Sequence, residues 1–160
     1  MNVLHRSSAF TAALIFATAC ADTAAQRMQE FSASAWQEDF GLASRNLQPT
    51  GRSAFCVLEP GYQLVLSDGE DVLTITVLDE TKVVDGVTTR VVEEREEAVG
   101  ELEEISRNFF AIDAATGDVF YFGEEVDIYE DGALVKHEGA WLAGRKGARA
   151  GLLMPGSPVV

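Results

Sequence analysis

At 160 residues, with 47% hydrophobic content, the chain has room for a single domain with a genuine core. Its formal charge of -14 argues against a nucleic-acid partner and against an anionic membrane surface, because phosphate would be repelled before any specific contact formed. What remains is a soluble acidic body, or one that holds cations or basic partners.

Residues 1–21 have the make-up of a signal peptide. His5 and Arg6 stand without acids in the first eight residues, residues 9–19 are apolar or small apart from threonines, and small residues follow. The apolar run falls short of the ~20 residues of a membrane-spanning helix, so membrane attachment is expected only through a lipid. Two cleavage patterns are open. Ala17-Thr18-Ala19-Cys20 resembles a bacterial lipobox with alanine where leucine is usual, which would make Cys20 the lipidated first residue. Ala19-Cys20-Ala21 and Thr23-Ala24-Ala25 offer instead the small-x-small pattern of simple export. Either way the expected location is the periplasm, the cell envelope or the extracellular space. Cys56 is then left without a partner for a disulfide, and in SAFCVLEPG it reads as a small apolar side chain, with no base nearby to activate it.

Residues 22–53 read as a linker or short helix, with Met28, Phe31, Ala35 and Trp36 on one side and Pro49-Thr50-Gly51 at its end. The β domain is expected over residues 54–160. Strands follow at 62–66, 71–79, 81–84, 87–97 and 101–113, separated by Asp68-Gly69, Asp85-Gly86 and Gly100. In the second, Leu73, Ile75 and Val77 alternate with Thr74 and Thr76, which gives one buried and one wetter face. Turns at 115–118 and 130–132 complete a rhythm of one turn every 14 to 17 residues, the spacing of a meander. An eleven-residue strand spans about 36 Å, and strands of that length coil when they twist. The fold expected is therefore all-β: an antiparallel meander of about six to eight strands in a strongly curved sheet or half-barrel. Residues 142–156, rich in glycine, alanine and base, are expected as a mobile loop, and the apolar ending suggests a missing closing strand.

The segments LEPGYQLVL, DETKVVDGVTTRVVEERE, SRNFFAID, TGDVFYFGEEVDIYEDG, EGAWLAG and GLLMPGSP resemble an uncharacterised family of exported bacterial proteins over residues 45–160. The resemblance implies an exported or envelope-associated β domain and carries no activity or catalytic residue. At fold level alone, the long strands look like periplasmic lipoprotein-carrier half-barrels.

No constellation fixes a chemistry, and a non-enzymatic role is expected. The acidic runs 93–97 and 101–104 lie on neighbouring strands, where carboxylates from both meet on one face. Such a face suits a cation or a basic protein, but it lacks calcium-loop spacing and reads first as a solvated exterior. His137 beside Glu138 is the only histidine after the signal and reads as a surface residue. No glycine arrangement cradles phosphate, and no cofactor or metal is implied. The aromatic group carries the leading expectation: Phe110, Phe120, Tyr121, Phe122, Tyr129 and Trp141 place bulk on both sheet faces. If one face stays open, it takes a lipid-like apolar ligand; if the flanking segments cover both, the group is core. The alternative is a structural or envelope-protein-binding domain that uses the acidic strands.

Overall fold

The computed structural model describes residues 39–158, and the chain from Phe40 onward forms one compact unit. The signal peptide, Cys20 and the helix read around Met28 and Trp36 lie outside the described residues. Among these, the one helical element is a 3-10 turn at Leu42–Ser44. The rest is strand and turn: β1 Leu47–Gln48, β2 Gly51–Arg52, β3 Val57–Leu58, β4 Gln63–Ser67, β5 Asp71–Val84, β6 Val87–Ala98, β7 Glu101–Asp113, β8 Val119–Glu130, β9 Ala133–His137, β10 Trp141–Leu142 and β11 Gly151–Met154.

The main sheet is an all-antiparallel meander in the order β10-β8-β7-β6-β5-β4, so each long strand pairs with its sequence neighbour. Beyond β8, the short strands β11, β10 and β9 lie one after another along its free side, opposite Tyr121, Glu124 and Asp127 respectively. The expected half-barrel is replaced by an open sheet with β4 at one edge and these short strands at the other. Hydrogen bonding never returns from β4 to β8, and segments from before β4 and after β9 pack on the faces of the sheet.

Three hairpins, β5–β6, β6–β7 and β8–β9, are closed by two residues in the left-handed region: Asp85-Gly86, Val99-Gly100 and Asp131-Gly132. That backbone matches the twist of the paired strands and favours Asn, Asp and Gly. Val99 departs from the rule. It holds φ 52° while 80% exposed, so a β-branched side chain is strained and recovers little from packing. Val99→Asn is expected to stabilise the protein by about 1 kcal/mol. A denaturant titration with unchanged slope and a higher midpoint checks this.

The two strands read at 71–79 and 81–84 are one strand, β5. Val77 faces Val92 and Thr81 faces Arg90, so Leu78, Asp79 and Glu80 bulge out opposite Val91. A bulge strips carbonyls of ladder partners, and Arg90 replaces them. Its Nη1 donates to the Leu78 carbonyl at 3.4 Å and the Glu80 carbonyl at 3.3 Å, and its Nε to the Pro49 carbonyl at 2.9 Å. Its Nη2 donates to Thr50 Oγ1 at 2.7 Å.

Both faces of the sheet carry a core at the end away from β4. On one, Val84, Val91, Phe109, Ala111, Phe120 and Phe122 pack under Phe40, Leu42, Leu47 and Ala143. On the other, Val77, Val92, Ile112 and Val119 pack under Leu58, Cys56 and Met154. Residues 40–53, read as linker, thus belong to the domain: β1 pairs with β7 at Asp113 and Ile112, just past the last β6 partner at Phe110. The loop read at 142–156 likewise contains two strands bonded to β8. Arg45 ties the covers together. It donates to Asp113 at 3.0 Å, to Asp118 at 2.8 Å and to the Phe40 carbonyl at 2.8 Å, and its guanidinium lies 4.6 Å from the Phe120 ring centre. Asp118 also accepts the Gly156 N–H at 2.9 Å; that bond, with help from Thr116 and Arg45, holds its carboxyl below the usual range.

Candidate functional site

Of the six aromatic residues singled out in the sequence, Phe120 and Phe122 are 0% and 1% exposed and serve as core. Phe110, Tyr121 and Trp141 form a chain of rings with centroids 5.0 and 5.1 Å apart, partly buried at the β8 side. The Tyr121 hydroxyl donates to Asn108 Oδ1 at 2.6 Å, and burial followed by the neighbouring Glu124 carboxylate raises its pKa. Tyr129 sits apart from them, opposite Leu134 on β9. The six therefore do not line one common surface. The ends of the chain cover the aromatic half of both faces, which is the core reading of this group.

The part of the sheet next to β4 is different: residues 71–76 and 93–98 are exposed or half-buried, and Ile75 marks how far the second core reaches. Register places Glu96 opposite Glu104, Glu94 opposite Ser106 and Glu124 opposite Asn108. Strand alternation then brings these four glutamates to one face, the face shared by Ile75, Leu73, Leu66 and Leu64 on β5 and β4. Glu93 and Glu97 point to the other side, where Arg107 and Arg95 pair with them. The two acidic runs do meet on one face, as their neighbouring strands implied, and Glu124 joins them from β8. Its place was hidden because Gly123 lies in a bulge between Asn108 and Phe110 partners, which shifts the phase of alternation.

Burial is the first reason that Glu94 and Glu104 are held above the usual carboxylate range; the neighbouring glutamates Glu96 and Glu124 add repulsion at both. The sign follows from linkage. A carboxyl whose folded pKa is raised binds its proton more tightly when folded, so the cluster costs stability at neutral pH and is relieved as pH falls toward the ordinary value of 4.5. Glu94→Gln is accordingly expected to raise the urea midpoint at pH 7 and to lose most of that gain at pH near 4.5. A gain independent of pH would show that the side chain acts through packing and not through charge.

Among the described residues no three His, Cys, Asp or Glu side chains are grouped so as to hold a metal ion. His137 lies on exposed β9 with its Nδ1 2.5 Å from Asp127 Oδ1, beside a Lys136–Glu138 pair. Cys56 packs among the apolar residues around Leu58, and burial pushes its thiol up, away from the reactive thiolate.

Three consecutive apolar side chains stand exposed on β4. Leu64, Val65 and Leu66 are all exposed, and β5 is the strand's only partner among the described residues. Where β4 turns into β5, Leu66 and Leu73 line a cleft of about 540 Å³ together with Asp68, Asp71, Glu96 and Glu103. No basic side chain contributes to that lining. Neither β4 nor the cleft was singled out in the sequence, since QLVLS reads equally well as an inner strand.

Among the described residues, no helix is long and apolar enough to cross a membrane. No family model, no curated protein and no solved structure matches the chain.

Proposed function

We propose that this is a non-enzymatic binding module of an exported bacterial protein, and that it docks a basic protein partner on the open half of its sheet. One observation carries the reading: the exposed Leu64 and Leu66 on β4 and the half-buried Leu73 on β5 share a face with the four carboxylates of Glu94, Glu96, Glu104 and Glu124. Apolar contact there supplies affinity and the carboxylates supply selection by charge. Export rests on the composition of residues 1–21 and on the family resemblance. A lipid-like ligand is less well supported, because Phe120 and Phe122 are sealed in the core.

The test is binding of the full chain to polylysine and, separately, to phosphatidylcholine vesicles, in low and high salt. Saturable polylysine binding should weaken about tenfold in high salt, and also in the Glu94→Gln, Glu96→Gln, Glu104→Gln triple variant. Vesicle binding that ignores both salt and the triple variant would return the lipid reading to first place.

A further inference from the structure

We infer that β4 takes up an extended segment of a partner as an added antiparallel strand, and that this segment carries basic residues at its N-terminal end. The inference rests on the docking role proposed above and assigns it to a strand edge.

The ladder shows which backbone groups of β4 are spoken for. The Val77 N–H donates to the Tyr62 carbonyl at 2.9 Å, and the Asp68 N–H reaches the Asp71 carbonyl at 3.4 Å. Alternation between these two points turns the amides of Leu64 and Leu66 toward β5 and those of Gln63, Val65 and Ser67 outward. An outward row of N–H and C=O groups is a template for another strand.

Proteins ordinarily blunt such an edge with lysine, proline or a bulge. Free edges of this sheet differ in that respect. β9, Ala133–His137, carries Lys136 as its fourth residue and a register shift opposite Ile128 and Tyr129. β4, with sequence QLVLS, has no charge, no proline and an unbroken five-residue register with β5. Val65, the central residue with outward amide groups, is 57% exposed.

Charge decides between the occupants. A second copy pairing β4 antiparallel with β4 would set the uncharged Gln63 end of one strand beside the cleft of the other, where Asp68, Asp71, Glu96 and Glu103 stand without a lining base, so neither cleft would be neutralised. The backbone N–H groups of Asp71 and Glu70 hold the Asp68 carboxyl below the usual range. Each copy also carries a formal charge of -14, so a cationic segment, whose N-terminal end beside Ser67 can answer the cleft, is favoured over self-pairing. In an antiparallel pair the N-terminal end of the incoming strand lies beside Ser67, next to this cleft, and its alternate apolar side chains fall on Leu64 and Leu66.

The probes are two synthetic peptides, Lys-Lys-Val-Thr-Val-Thr-Val and its Glu-Glu counterpart, titrated into the full chain with amide exchange read by NMR. The lysine peptide should bind at least tenfold more tightly and slow exchange at Gln63, Val65 and Ser67. Val65→Pro, which removes an outward N–H without touching the β5 ladder, should abolish binding, whereas Val65→Thr should retain it. Binding that survives Val65→Pro, with shifts confined to Leu73, Ile75, Glu94 and Glu96, overturns strand addition while leaving the docking face standing. Failure of both peptides alongside salt-sensitive polylysine binding does the same, and loss of polylysine binding as well overturns both readings.

Discussion

Replacing Arg90 with leucine is expected to cost about 3 kcal/mol, by the loss of buried charged hydrogen bonds and the stranding of their acceptors. The side chain is 6% exposed and serves the carbonyls of Pro49, Leu78 and Glu80 together with Thr50 Oγ1. A leucine restores volume but leaves those oxygens facing apolar atoms. The damage should concentrate where Arg90 works: the bulge of β5 and the Pro49-Thr50 segment laid against it. Urea unfolding checks the magnitude. Arg90→Lys separates charge from geometry, since a lysine keeps the cation but has no planar fork able to serve several oxygens at once. It should recover less than half of the loss, and full recovery would mean that charge alone matters there.

Gly123→Ala is the second large effect, again about 3 kcal/mol. A methyl group at this position would stand 2.2 Å from the Trp141 carbonyl oxygen and 2.8 Å from Leu142 Cα, and the residue holds φ 134°. Both objections are backbone objections, so a side-chain shift cannot answer them. Relief requires β10 to leave β8, which takes the ring of Trp141 off Tyr121 and uncovers Phe122 beneath Ala143. The measurable signature is a red-shifted tryptophan emission together with a lower thermal midpoint. By contrast Gly132→Ala meets no atom within 4 Å and carries only the strain of its φ of 74°, so its loss should be smaller, about 1 kcal/mol.

Much of the meander was legible because its signals are local. Asp-Gly pairs at 85–86 and 131–132 force hairpins, and the alternation of Leu73, Ile75 and Val77 fixes which face is dry. The bulge in β5 was not legible. Nothing in LDE at positions 78–80 differs from an ordinary turn, and what makes it a bulge is Arg90, a partner ten residues on that only the fold brings back. The short strands within residues 40–53 were not legible for a related reason. The segment contributes a few apolar contacts and one arginine, Arg45, whose partners Asp113 and Asp118 are far along the chain. The aromatic site was proposed because bulky residues crowd both faces of β8. Crowding identifies burial, but it does not tell whether the cover is a ligand or the chain's own ends. The edge of β4 escaped notice because an edge is defined by what fails to follow it, which is a property of topology and not of QLVLS.

Arg45 has a further consequence for the order in which the molecule closes during synthesis. The long hairpins pair neighbours in sequence and are able to form as they emerge, from β4 to β8. The N-terminal cover, made first, has nothing to grip until Asp113 and Asp118 arrive, and the Gly156 amide reaches Asp118 only after that. A single carboxylate thus receives a segment from before the sheet and one from after it, so the sheet spends most of its assembly with both faces wet and is sealed only once the residues around Gly156 have arrived.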